Sequence, residues 1–295
     1  MSVTTSGAEP VRTSLLAGLP VQERAVGAAG IDTAVLSGGD GPPMVLLHGP
    51  GEFAGIWSPV LNELVHSYLV IAPDLPGHGA SAAPTAGMTR GWVNRWLDEL
   101  ISATCAEPPV LVGRVVGGAI GAAYAAAHPD RLSQLVLVDT IGLETFDPEP
   151  RFGLAMHRFL ANPSMATYER FMDFCAFDLD TAKSRLGHRW SSYAKYAVDR
   201  AEDPGVQSAI GGMIGLYAPP MAPDLLATIT VPTSMIWGRE DAATTLAVAE
   251  RASARYGWPL HVIDGAGDDP ALDRPAEFIG TLLEAIGRGD GHDGH

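Results

Sequence analysis

The chain has 295 residues, 46% hydrophobic, with two cysteines and a net charge of −15 from 19 basic and 34 acidic residues. That length supports one domain with an insertion, or two small domains. Acidic residues spread along the chain argue against nucleic acid or an anionic membrane as partner. Cys105 and Cys175 lack metal or redox spacing and read as reduced thiols of a cytoplasmic protein. The opening "MSVTTSGAEPVRTSLLAGLP" has no basic start followed by an apolar run, so no secretory signal is expected. No stretch approaches the ~18 apolar residues of a membrane span. Residues 1–20 read as a disordered arm.

Short apolar runs then alternate with helical stretches. "MVLLHG" (44–49), "YLVIAPD" (68–74), "PVLVG" (109–113), "QLVLVD" (134–139), "TSMIWG" (233–238) and "LHVIDG" (260–265) read as strands buried on both faces. Helices are expected near 89–104, 116–128, 243–256 and 275–287, the last with Pro275 in its first turn. This alternation predicts an α/β fold with a mostly parallel, doubly wound sheet. Between 141 and 223 the rhythm breaks into aromatic and Met-rich helical stretches, which predicts a helical cap inserted in a core of 21–140 and 224–287. Such a cap would lie over the carboxyl ends of the strands, where open α/β sheets bind ligands. The 288–295 tail, with His292 and His295, reads as flexible.

Four motifs occur in order: "LLHGPGE" (46–52), "PDLPGHGAS" (73–81), "GRVVGG" (113–118), and "IWGRED" (236–241) followed by "GAGDDPALDRP" (265–275). Together they resemble the α/β-hydrolase superfamily with a helical cap, over roughly residues 30–287. The resemblance implies a nucleophile at the strand-to-helix elbow, flanked by glycines two residues away on each side. Gly113 and Gly117 are in place, but the central residue is Val115. Two readings follow: the elbow has relaxed, or Val115 forms an apolar cavity wall. The family's histidine position is occupied by Asp268, and its acid position by Asp241. The oxyanion position after His-Gly is Pro50, which has no N–H to donate; Gly51 follows as a substitute. Ordinary acyl transfer needs all these parts together. His48, His78 and His128 read as structural.

Asp139, ending "QLVLVD", is the candidate for displaced chemistry, because its strand should lie beside the elbow strand. A carboxylate there would open an epoxide as nucleophile or as general base for water. Trp190 and Tyr193, at i, i+3 spacing on one expected cap helix, would polarise the epoxide oxygen. Val115, Pro50, Gly51, Arg114 and Arg189 are the candidate substrate contacts, and Asp241 and Asp268 are candidate acid/base groups sharing a proton. The pattern is similar to atypical epoxide hydrolases of bacterial secondary metabolism. It implies hydrolysis of an apolar small molecule, with polycyclic aromatics among the candidates, without a cofactor. A non-catalytic pseudo-hydrolase and a cofactor-free lyase, isomerase or cyclase are the alternatives. The sequence does not choose between monomer and homodimer.

Overall fold

The structure, a computed structural model, describes residues 8–287. The expected tail and its His292 and His295 lie outside the described residues. The chain begins with α1 (Ala8–Leu16), β1 (Gln22–Ala28), β2 (Ile31–Gly38), β3 (Pro43–Leu47), α2 (Ser58–Leu64) and β4 (Leu69–Pro73). It continues with α3 (Arg90–Thr104), β5 (Val110–Arg114), α4 (Val116–Ala127) and β6 (Gln134–Val138). Helices α5 (Pro150–Ala161), α6 (Met165–Cys175), α7 (Leu179–Leu186), α8 (His188–Ala201), α9 (Pro204–Tyr217) and α10 (Pro223–Leu226) come next. The chain then completes the sheet with β7 (Thr233–Gly238), α11 (Leu246–Tyr256), β8 (Leu260–Ile263), α12 (Pro270–Asp273) and α13 (Pro275–Ala285).

The eight strands form one sheet in the order β1-β2-β4-β3-β5-β6-β7-β8. Strands β3 to β8 run parallel, and β2 pairs antiparallel with both β1 and β4. Every residue of β3 and β5 is buried, as expected of strands covered on both faces. One face packs on a helical layer that includes Trp96 and Tyr124, and the other on Trp57, Leu61 and Phe278. No helix among the described residues is long and apolar enough to cross a membrane.

The expected disordered arm is corrected over residues 8–16, which form α1. Arg12 is 2% exposed and pairs with the fully buried Asp74 at 2.8 Å and with Glu23 at 2.5 Å. Its guanidinium lies 4.9 Å from the Phe53 ring centroid, and its Nη1 donates to Tyr196 Oη at 3.3 Å. Leu15 is buried against Phe53 and Tyr196. Tertiary partners therefore order a segment whose local composition is polar.

The inserted helices have local reasons to start where they do. Ser164 caps α6 in a capping box with Thr167, Asp178 caps α7 through Thr181 N, and Asp203 caps α9 with Pro204 in its first turn. A separate apolar cluster, including Phe152, Phe159, Tyr168 and Trp190, unites α5 to α8, while α9 sends Met213 and Tyr217 into the core on one face of the sheet. Phe177 and Met165 face outward, at 50% and 42% exposed.

Candidate active site

The elbow sits at the centre of the sheet, where β5 lies between β3 and β6. A Cβ on Gly113 would meet the Gly117 carbonyl oxygen at 2.4 Å, and one on Gly117 would meet the Leu47 oxygen at 2.5 Å. Those contacts explain why both positions are glycine. Between them Val115 has φ 50° and ψ −113°, a conformation that costs a β-branched residue about 1–3 kcal/mol. Its N–H donates to Val138 O at 3.0 Å, tying the turn to the neighbouring strand. The elbow has kept its strained geometry, and Val115 lines the cavity above it.

That cavity, of about 150 Å³, lies between the carboxyl ends of the strands and helices α5, α6, α8 and α9. Pro50, Gly51 and Val115 line it from the sheet side, with Gly51 at φ 78°. Phe152, Phe159, Tyr168, Phe171, Trp190 and Tyr193 supply its aromatic wall. Trp190 Nε1 and Tyr193 Oη are buried donors without a hydrogen-bond partner.

The polar end is built around Arg114, the last residue of β5. Its Nη1 donates to Glu52 Oε1 and lies 3.5 Å from Asp269 Oδ2. Its Nη2 donates to the Asp268 carbonyl oxygen at 2.9 Å and lies 3.7 Å from Asp268 Oδ1. Glu52 Oε2 also accepts from Gly49 N at 2.7 Å, which fixes the loop after β3. Asp269 caps α12 by accepting from Leu272 N at 3.1 Å. Burial raises the pKa of Asp269 against the opposing pull of Arg114. Asp268 Oδ1 has no hydrogen-bond partner, and its backbone N donates to Cys175 O at 3.0 Å. Burial pushes Asp268 well above the usual carboxylate range; Arg114 opposes this, while Asp241 and Asp269 add to it. Burial thus favours the protonated form of Asp268 at the edge of the apolar cavity, against the nearby Arg114.

Behind Asp268 lies a second carboxyl layer, and here the expectation for Asp139 is corrected. Asp139 is fully buried and is not among the cavity-lining residues. The chain turns at Asp139 with φ 43°, and Oδ1 accepts from Gly238 N at 2.9 Å on β7. The strand end therefore sends its carboxyl sideways under the cavity instead of into it. Asp241 likewise does not line the cavity, and its Oδ1 accepts from Ala243 N at 2.7 Å and Thr244 N at 2.9 Å. Burial raises Asp241 to about 7. Burial and then repulsion from Asp241 raise Asp139. Asp139 and Asp241 lie within hydrogen-bonding reach, so one shared proton would satisfy their two otherwise unpaired Oδ2 atoms.

Of the residues singled out from sequence, Val115, Pro50, Gly51, Arg114, Trp190, Tyr193 and Asp268 come together around the cavity. Arg189 does not, because its Nη2 donates to Ala17 O after α1 at 2.8 Å. Glu52, Asp269, Tyr168 and Cys175 also line the cavity, though the sequence did not single them out as site residues. Glu52 and Asp269 sat within quoted motifs, and the excess of carboxyls around Arg114 was the available signal. His48 and His78 are fully buried, and His48 Nε2 accepts from Leu75 N at 2.9 Å. His128 ends α4 with its ring centroid 4.7 Å from that of Tyr124.

The chain is 29% identical to the pimeloyl-[acyl-carrier protein] methyl ester esterase of Aeromonas hydrophila, over 84% of this chain and 97% of the relative. It is also 29% identical to the 2-hydroxymuconate semialdehyde hydrolase of Pseudomonas sp. (strain CF600), over 90% of this chain and 94% of the relative. The solved 2-hydroxy-6-oxo-6-phenylhexa-2,4-dienoate hydrolase from Rhodococcus sp. strain RHA1 shares the fold, with a TM-score of 0.78 at 23% identity, covering 90% and 98% of the two chains. Residues 42–275 match the alpha/beta hydrolase fold family, and the chain belongs to it.

Proposed function

We propose that this chain is a small-molecule hydrolase that adds water to an epoxide, with helices α5 to α9 serving as a cap over the substrate. The observation that carries this reading is the carboxyl–Arg114–carboxyl arrangement at the polar end of an otherwise apolar cavity. Val115 supplies no nucleophilic atom, so attack falls to water. Glu52, the most exposed of the three cavity carboxyls at 23%, takes a proton from that water as its oxygen bonds to an epoxide carbon. As the epoxide C–O bond breaks, Asp268 gives its proton to the departing oxygen, with Trp190 and Tyr193 donating hydrogen bonds. The product is a vicinal diol. Transfer of the proton from Glu52 to Asp268, directly or through solvent, restores the starting state.

Asp139 is not assigned the attack in this reading, because its carboxyl does not line the cavity. With Asp241 it forms a carboxyl pair that shares one proton and keeps one negative charge behind Asp268, which favours the neutral acid that donation requires. A volume of about 150 Å³ matches a cavity that holds one benzene ring, which favours a single-ring substrate. Styrene oxide is the test substrate. Wild type should hydrolyse it, and Asp268→Asn and Glu52→Gln should each lower kcat by about 10²–10⁴-fold. Absence of turnover across aromatic and aliphatic epoxides, with ligand binding intact, would refute the reading in favour of a non-catalytic binding protein.

A further inference from the structure

Among the described cavity-lining residues Arg114 is the sole cation, against three carboxyls, Glu52, Asp268 and Asp269. Its charge is already committed. Nη1 is held by Glu52 with Asp269 Oδ2 at 3.5 Å, and Nη2 by the Asp268 carbonyl oxygen at 2.9 Å. Nε is buried and has no hydrogen-bond partner. A carboxylate ligand entering this site would shed its water without gaining a free counter-charge, and it would lie beside two further carboxyls. An uncharged ligand meets the opposite situation. The aromatic wall, which includes Trp190 and Tyr193, accepts its ring, and a hydroxyl or ether oxygen loses far less hydration on entry than a carboxylate.

We propose that the cavity selects uncharged single-ring ligands and rejects carboxylates, with Glu52 as the residue that sets this preference by occupying Arg114. The inference rests on the proposed function for placing substrate in this cavity, but it does not depend on turnover. An unmatched charge about 6 Å from a like charge, at an effective dielectric near 20, corresponds to about a 100-fold change in affinity.

The test is ligand-observed NMR titration at pH 7 with 2-phenylethanol and phenylacetate, which share ring and chain length and differ in charge. Wild type should bind the alcohol about 100-fold more tightly than the acid. Glu52→Gln, whose side-chain carbonyl can still accept from Gly49 N, frees Arg114 Nη1 and should raise phenylacetate affinity about tenfold or more. The alcohol-to-acid affinity ratio should fall by the same factor. Equal or tighter binding of phenylacetate by wild type would overturn the inference, as would binding of neither ligand. An unchanged alcohol-to-acid ratio in folded Glu52→Gln would overturn the assignment to Glu52. The wild-type comparison stands whether or not the variant folds. Selectivity for the alcohol together with no epoxide turnover would refute the proposed reaction and leave this inference standing.

Discussion

Replacing Asp241 with Asn should stabilise the fold at pH 8. Asp241 is almost fully buried, and its pKa rises from 3.8 to about 7. A carboxyl whose folded pKa is raised stabilises the fold fully below its unfolded value, and that stability is lost as pH rises through the folded value. Between 3.8 and about 7, each pH unit costs about 1.4 kcal/mol from this group, which integrates to about 4 kcal/mol by pH 8. Asn removes the ionisation. Its side-chain carbonyl can still accept from Ala243 N and Thr244 N, and its amide can donate toward Asp139. His48 and His78 act in the other direction, because burial lowers both to about 3, so their stability is lost as pH falls below 6.5. Their contribution is common to both proteins and cancels in the difference. Urea denaturation at pH 4, 5, 6, 7 and 8 should give a variant-minus-wild-type stability near its minimum at pH 4, rising by about 1.4 kcal/mol per unit until pH 7. A flat difference, or a variant less stable than wild type at pH 8, would refute the reasoning.

Other perturbations bear on separate parts of the structure. Arg12→Met should cost about 3–5 kcal/mol in urea denaturation, because it leaves the buried Asp74 carboxyl without its cation. An effect below 1 kcal/mol would mean that α1 does not hold this pair in solution. Gly113→Ala should lose most of its folded protein, or at least about 3 kcal/mol, because its Cβ would lie 2.4 Å from Gly117 O. A normal melting curve for that variant would show that the elbow can shift. Epoxide turnover by wild type should fall as pH rises through the elevated pKa of Asp268, where the acid loses its proton. A rate that climbs with pH across that range would remove Asp268 from the acid role.

The parallel half of the sheet was legible because β3 to β6 are short apolar runs buried on both faces. The β1–β2 hairpin was not. At the sheet edge β1 exposes Gln22, Glu23, Arg24 and Ala25, and it carries no apolar run to mark it. Helix α1 was misread because its stability comes from partners distant in sequence, above all Asp74 and Phe53, and not from its own composition. Helix α9 carries glycines, which disfavour helix, yet Asp203 and Pro204 mark its start.

The site followed the same pattern. The Gly113–Gly117 spacing located the elbow, and the order of motifs brought Asp268 and Arg114 to it. The direction of Asp139 was not readable, because a positive φ at the strand end turned its carboxyl toward Gly238 N. Arg189 was misplaced for a related reason. Helix spacing gave its approximate position beside Trp190, but the carbonyl of Ala17 drew its guanidinium to the outer side.

The most direct test of water attack at this site is a single turnover of styrene oxide by excess enzyme in ¹⁸O-labelled water. The account predicts a diol that carries ¹⁸O from the first turnover, since no protein oxygen bonds to substrate. An unlabelled first-turnover diol would show a covalent ester with a protein carboxylate and would contradict it.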